Sequence, residues 1–168
     1  MAGSADQGLW RAMQASDLPD VHALSKRIHT AYPEGPSIAR ERLALASQWC
    51  RVLVSDDALC GYLLAHPWRR GAPPALDSLI GALPDDPDCL YIHDIAIVPE
   101  RRGHGDAAVL LAALTREAID RFGMIALVST GPATGYWRRQ GFAPRPVARP
   151  DILASYDGDA LYMERAHR

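Results

Sequence analysis

No apolar run in this chain of 168 residues approaches the roughly 20 residues that a membrane-spanning helix needs, so a helical integral membrane protein is excluded. A leader is not expected either: Met1 to Gly8 are small and polar, with no basic start and no hydrophobic stretch. Cysteine is scarce and unpaired. Cys50, Cys60 and Cys89 are an odd number, none in a Cys-x-x-Cys pair, which argues against a disulfide framework or a zinc site and for a reduced, cytoplasmic setting. Cys50 and Cys60 lie in apolar runs and read as small buried hydrophobes. Neither charge is in excess: 18 basic against 20 acidic side chains leave a net charge of −2, so neither nucleic acid nor a membrane surface is expected as a partner. Lys26 is the one lysine; the other basic residues are all arginine, which reads as compositional bias.

What is present fits one folded domain spanning residues 1–168. Hydrophobic residues make up 48% and charged residues 23%, which excludes a disordered or fibrous chain. A chain of this length hides roughly 70% of its unfolded surface and needs no staples. The pattern alternates strands with helices. Leu9–Met13 reads as a short strand, and Asp17 as the cap of a helix carrying Leu18, Val21, Leu24 and Ile28 and ending before Pro33. A second helix is expected over Ile38–Trp49, then a hairpin of 51–55 and 59–65 about Asp56-Asp57. A strong strand follows at 89–98, a helix at 106–122, a strand at 124–129, a short helix at 133–140 closed by Gly141, and a last strand at 161–163. This is a mixed α/β order. The segment 66–89 differs: five of the 13 prolines lie there with Gly71 and Gly81, and only Ala75–Leu83 suits a short helix. So long a connection in a compact domain is expected to be a lid-like insertion.

The joint between the strongest strand and a long helix carries the most information. Arg102-Gly103-His104-Gly105-Asp106-Ala107 links them directly. Small residues let the backbone approach a ligand, and the first helical N–H groups point outward without partners, so the joint suits a phosphate or pyrophosphate. The third glycine of a dinucleotide fingerprint and the Gly-Lys-Ser/Thr ending of a P-loop are both missing. Taken alone, the pattern is equally an ordinary turn.

On these residues the sequence resembles the GNAT superfamily of acyl-coenzyme A-dependent N-acyltransferases. Arg102, Gly105 and Ala107 fill its Gln/Arg-x-x-Gly-x-Gly/Ala signature. Residues 95–103 are similar to the strand and proline-containing turn before that signature, and 133–142 to the family's A-x-x-F-Y-x-x-x-G-F segment. The ending 159–164 is also similar. The resemblance spans about residues 9–164 and is most specific over 91–142. It implies an α/β fold of the α+β type: a GNAT acyltransferase fold with a mixed central sheet, flanking helices, and strands 90–98 and 124–129 splayed apart. It implies acetyl-CoA as co-substrate, no metal, and acetyl transfer to a primary amine of a small molecule by direct attack in a ternary complex.

Carried over by position, the resemblance gives main-chain groups of Ile95 and Ile97, flanking Ala96, the task of hydrogen-bonding the pantetheine arm. The pyrophosphate falls to the amides that follow Arg102, those of Gly103, His104, Gly105, Asp106, Ala107 and Ala108, with His104 beside phosphate. An N–H near Ile95 would face the thioester oxygen. Two positions depart from the family. Thr130 ends the second strand where Asn is frequent, and Trp137 stands where a Tyr often protonates the departing thiolate. Tyr136 is adjacent, but one residue along a helix turns a side chain by about 100°. Either Tyr136 reaches in through a distorted turn as the acid, or it is a core aromatic and another group or water serves.

Attack by an amine needs its lone pair, so a group must take its proton. His93 is the candidate, as a base or as a relay to water; some members of the family carry His at this place. The plain alternative is a histidine hydrogen-bonded within the sheet. Alternation sets Tyr91, His93, Ile95 and Ile97 on one side of the strand and Asp94 on the other, unless a bulge intervenes. Asp94 orients the imidazole, binds a cationic substrate, or satisfies backbone groups. Asp85, Asp86 and Asp88 suit an amine-bearing substrate, or are solvated surface, whereas Trp68 with Arg69 and Arg70 suits an aromatic or anionic group. Other classes stay open: a protein or peptide amine acetyltransferase, a non-catalytic acyl-CoA-binding module, and a nucleotide-binding module using the glycine loop alone. The family often forms dimers, so a homodimer is an expectation that no heptad or apolar stripe specifies.

Overall fold

The computed structural model describes residues 8–166; Met1–Gln7, on which the expectation about a leader falls, lie outside the described residues. Asp56 and Asp57 both adopt the left-handed conformation (φ 49° and 59°). That pair of positive angles makes a two-residue turn whose twist matches the strands, and it reverses β2 (Arg51–Ser55) into β3 (Ala58–Trp68). With β1 (Leu9–Ala12), β4 (Cys89–Ile97), β5 (Met124–Ser129), β6 (Ala143–Pro144) and β7 (Leu161–Ala166) they form one sheet in the order β1-β2-β3-β4-β5-β7-β6. Only β4 and β5 run parallel. Their crossover is α3 (Asp106–Phe122), and parallel neighbours need such a long connection.

Helices cover both faces. On one, Leu110, Leu111, Leu114 and Ala118 of α3 recur at helical spacing and pack on Leu63, Leu90, Ile92, Ile125, Leu127 and Met163. Trp137 of α4 (Thr134–Arg139) and Phe142 complete that layer. Each leucine so buried contributes about 1.5–3 kcal/mol. The left-handed Gly123 (φ 75°) stops α3, returning its N–H to Ile119. On the other face α1 (Leu18–Ile28) sets Val21 and Leu24 against Val52, Tyr62, Leu64 and Ala96, beside α2 (Pro36–Ala46). Asp17 occupies the N-cap position of α1 as expected, but its side chain makes no capping bond to the helix. It takes the Gln14 N–H at 2.8 Å and both Nη atoms of Arg11 at 2.8 Å, closing the 3-10 turn before the helix.

β4 is irregular on both of its edges. Its pairing with β5 covers only Leu90, Ile92 and the residue between them, although both strands continue. Beyond Ile92 they part. A bulge also lies opposite Leu64 and Ala65, which pair with Asp94 and Ile92 and leave His93 as the extra residue. The bulge resets the alternation expected from the sequence. Ile92 and Ile95 face α3, whereas Asp94 and Ala96 lie on the opposite face toward α1, and Tyr91 on that face packs on Met124, Ala126 and Tyr162; His93 turns to that face as well.

β3 runs on to Trp68, so the connection to β4 is residues 69–88. The helix expected at Ala75–Leu83 is absent; the segment is turns and extended chain. Its amides are taken by side chains from elsewhere instead. Glu41 accepts from Ile80 and Gly81 at 2.8 and 2.9 Å, and Ser155 from Leu76 at 3.0 Å. The buried Arg42 reaches the Ser78 carbonyl at 3.1 Å. Past Gly141 the chain adds β6 and α5 (Pro150–Leu153), neither of them expected from the sequence.

Candidate active site

A cleft of about 680 Å³ opens where β4 and β5 part, running from the Gly103–Gly105 turn to a chamber beneath the 69–88 connection. At the turn, Gly103 and Gly105 have φ of 81° and 84°. A Cβ at either would meet no other atom, so the angle rather than crowding calls for glycine. Val109 is the first residue of α3 whose amide finds a carbonyl, that of Gly105 at 3.1 Å. Among the described residues, no protein group accepts from the amides of Gly103, His104, Gly105, Asp106, Ala107 or Ala108. Unpaired donors at the start of a 17-residue helix form a site for an anion.

The side chains of Asp106 and His104 at this end are engaged within the protein. The Asp106 carboxylate pairs with Arg101 at 2.7 Å, and its main-chain carbonyl receives the Trp10 Nε1–H at 2.9 Å. His104 turns Nδ1 to the Arg101 carbonyl at 2.9 Å, and its side chain is not part of the cleft wall. Arg102 does line the cleft, with Nε donating to the Ile97 carbonyl at 3.0 Å. The Val98 N–H binds Cys60 of β3. Alternation therefore turns the main-chain groups of Asp94 and Ala96 to β3 as well, and those of Ile95 and Ile97 into the gap toward β5.

In mid-cleft, Thr130 and Tyr136 are on the wall. Tyr136 has its ring edge-on to Trp137 at 5.1 Å, and Trp137 meets Phe142 in the same way at 5.3 Å. Trp137 is thus anchored in the core, while the Tyr136 phenol donates to no other group of the protein among the described residues. Burial raises its pKa above the ordinary value, against a smaller opposing effect of Arg139, so it stays protonated at neutral pH.

The chamber holds two histidine–carboxylate couples. Nε2 of His93 lies 2.8 Å from Glu34 Oε1, and its Nδ1 is buried without a partner. The His93 side chain is only 1% exposed against 13% for Glu34, so the carboxylate is the more accessible member. Nε2 of His29 lies 2.8 Å from Asp94 Oδ1, off the direction of an ideal N–H···O bond, and the Tyr62 hydroxyl donates to Asp94 Oδ2. Burial opposes charge on His29, but the carboxylates of Asp94 and Glu34 outweigh it and raise its pKa. Burial likewise opposes charge on Asp94, and His29 and Tyr62 outweigh it, holding that carboxylate below its usual range.

Three segments wall the chamber and bind one another. Tyr32 and Glu34 come from the α1–α2 loop, Leu76 from the 69–88 connection and Tyr156 from the loop before β7. Glu34 Oε2 accepts the Asp77 N–H at 2.9 Å, and Asp77 Oδ1 accepts the Gly35 N–H at 2.7 Å. Tyr156 donates its hydroxyl to the Pro74 carbonyl at 3.1 Å, and Tyr32 donates its own to Asp157. Cysteine chemistry has no place here: all three thiols are buried, and burial pushes Cys50 up to about 11 and Cys89 up to about 12.

The structure thus brings His93, Asp94, Tyr136, Thr130 and the glycine turn to one cleft, and leaves the side chains of His104 and Asp106 out of its chemistry. Sequence reasoning missed His29, Tyr32, Glu34 and Tyr156. Only one signal was available for the first three: they crowd a short, proline-flanked loop, His29-Thr30-Ala31-Tyr32-Pro33-Glu34, and functional side chains concentrate on loops. Tyr156 carried none.

The same fold occurs in solved structures of low sequence identity. Arabidopsis thaliana Naa50, in complex with the bisubstrate analogue CoA-Ac-MVNAL, superposes with a TM-score of 0.69 at 12% identity, covering 95% of this chain and 99% of that one. GphF, a GNAT-like decarboxylase in complex with isobutyryl-CoA, gives 0.76 at 18% identity over 95% of this chain and 100% of that one. N-acetylglutamate synthase from Neisseria gonorrhoeae, complexed with coenzyme A and N-acetyl-glutamate, gives 0.69 at 19% identity over 96% of this chain but 36% of that one. No curated protein matches by sequence. The model of the Acetyltransferase (GNAT) family matches residues 18–142, a span that takes in α1, the splayed strands, the glycine turn and α4, and the chain belongs to that family.

Proposed function

We propose that this protein transfers an acetyl group from acetyl-coenzyme A to a primary amine of a small molecule, by direct attack within a ternary complex. The observation that carries the acceptor class is the ring of hydrogen bonds joining the α1–α2 loop, the 69–88 connection and the loop before β7 around the chamber. Such a wall favours a compact acceptor over an extended peptide.

The unpaired amides of Gly103–Ala108 fit a pyrophosphate, and the open edge of β4 at Ile95 and Ile97 fits an extended arm bearing amides. Bound there, acetyl-coenzyme A supplies an acetyl group activated as a thioester. The Ile95 N–H, aimed into the gap, stabilises the negative charge that develops on the acetyl oxygen. Glu34 and Asp94 give the chamber two carboxylates that attract an ammonium. His93 accepts the amine's proton at Nδ1, the nitrogen that Glu34 does not hold; its near-complete burial supports a relay through water over direct contact. Tyr136, protonated and without a protein partner, offers its hydroxyl to the sulfur.

A second reading, a non-catalytic acyl-CoA-binding module, is favoured by the core-bound Trp137 where the family often has Tyr. Thiol release from acetyl-coenzyme A, assayed with a panel of small primary amines and with peptides bearing free N-termini, tests both. Release with a small amine is expected. Release with peptides alone overturns the acceptor class, and binding of coenzyme A without release by any amine points to the module. Replacing residues 69–88 by a short turn is expected to abolish acceptor use and spare acetyl-coenzyme A binding.

A further inference from the structure

Glu34 spans two parts of the molecule that are far apart in sequence. One carboxylate oxygen takes His93 Nε2 at 2.8 Å and the other takes the main-chain N–H of Asp77, in the 69–88 connection, at 2.9 Å. Asp77 returns its own carboxylate to the Gly35 N–H at 2.7 Å. These reciprocal bonds fix both the side chain of Glu34 and the backbone next to it.

The conformation of Asp77 is the second observation. Its φ is 55°, a left-handed angle that costs a residue bearing a Cβ on the order of 1 kcal/mol or more, although aspartate tolerates it better than most. Asp77 is exposed, so packing does not impose the angle. The bonds to Glu34 and Gly35 are what the angle secures. The neighbouring Leu76 lines the chamber and gives its N–H to Ser155, so the segment that grips Glu34 also meets the acceptor.

We propose that Asp77 and Glu34 are positioning residues, and that the proton relay at His93 depends on the 69–88 connection being seated against the α1–α2 loop. The proposal rests on His93 being the group that accepts the amine's proton. When the connection is seated, Glu34 accepts from Nε2–H, which holds the neutral imidazole in one tautomer with Nδ1 bare. When it lifts, Glu34 loses its second anchor and the ring its fixed orientation, so transfer is slow until the chamber is closed.

The test uses the full chain carrying 15N-labelled histidine. Asp77→Gly keeps the left-handed angle and the N–H but removes the carboxylate; Asp77→Asn keeps an acceptor for Gly35. The expectation for Asp77→Gly is a mixed His93 tautomer by 15N NMR and a kcat lower by roughly tenfold, with the KM for acetyl-coenzyme A unchanged. Asp77→Asn should restore both to wild-type values, and Glu34→Gln should give a similar loss to which Asp77→Gly adds little. A His93 tautomer that stays fixed in Asp77→Gly overturns the proposal, as does an equal loss in Asp77→Gly and Asp77→Asn. A tautomer that mixes while kcat holds leaves the clamp standing and removes the relay role of His93.

Discussion

His29 at the end of α1 and Asp94 in mid-strand β4 stand 2.8 Å apart, Nε2 to Oδ1, in the wall of the chamber. The pair makes stability depend on pH. His29 is raised above 6.5, so its contribution is complete below about that value and is lost as pH rises through the folded pKa. Asp94 is depressed below 3.8, so its contribution is present above that value and is lost as pH falls through the folded pKa. The window between them is mildly acidic. His29→Gln should therefore lower Tm by about 2–4 °C near pH 6, the effect of about 1 kcal/mol in a domain of this size, and by much less at pH 9. An equal deficit at both values rejects the pair as a titrating unit.

His93→Ala should reduce turnover by roughly a hundredfold at neutral pH, in the range for general acid–base groups. The deficit should narrow at alkaline pH, where more of the amine is already unprotonated. A pH–rate profile with a saturating small amine checks this, and near-normal turnover at neutral pH removes the assignment.

Tyr136 and Trp137 make a matched pair of probes. Tyr136→Phe removes only a hydroxyl on the cleft wall and should lower kcat about tenfold or more without moving Tm. Trp137→Phe acts on a side chain packed between Tyr136 and Phe142, and should cost about 1–3 kcal/mol of stability while leaving kcat less affected. A reversed pattern would identify Trp137 as the functional residue.

Gly105→Ala introduces a Cβ into open space at a φ of 84°, so its effect is conformational. Keeping the turn costs about 1 kcal/mol, and relaxing it rotates the amides proposed to hold the pyrophosphate. Calorimetric titration should find coenzyme A binding weaker by about tenfold. Unchanged affinity places the pyrophosphate elsewhere.

Arg70 pairs with Glu164 through two contacts, Nε to Oε1 at 3.1 Å and Nη2 to Oε2 at 2.9 Å, far from the cleft chemistry. Burial opposes charge on Glu164, but Arg70 and Tyr162 outweigh it and hold its pKa below 4.5. Arg70→Ala leaves a buried carboxylate with only Tyr162 as a side-chain partner, and should cost about 2 kcal/mol at pH 7. The stability gap should close as pH falls through the folded pKa of Glu164, because the pair contributes only while that group is ionised. Denaturant unfolding at pH 7 and at acid pH measures both.

The elements were legible where local chemistry dictates them. The Asp56-Asp57 turn, the apolar spacing of α3 and the glycine turn before it arise from preferences within a few residues, and the structure keeps them. The 69–88 connection was misread at Ala75–Leu83 because its hydrogen bonds go to Glu41 and Ser155, distant residues that no local pattern reveals. Trp137 and Tyr136 were visible as neighbours, but which of them faces the cleft depends on the core around Phe142.

The sequence by itself determined the family signature, the strand–turn–helix that frees the amides of Gly103–Ala108, and the candidacy of His93, because each depends on residue types at fixed local spacing. Only the tertiary structure decided which way His93 and Asp94 face and what they meet. A single bulge against Leu64 and Ala65 turns both toward α1, and chain folding brings Glu34 and His29 to them. Alternation along a strand is local, but the register of a bulge is set by the partner strand, and the partners of a buried side chain by the whole fold.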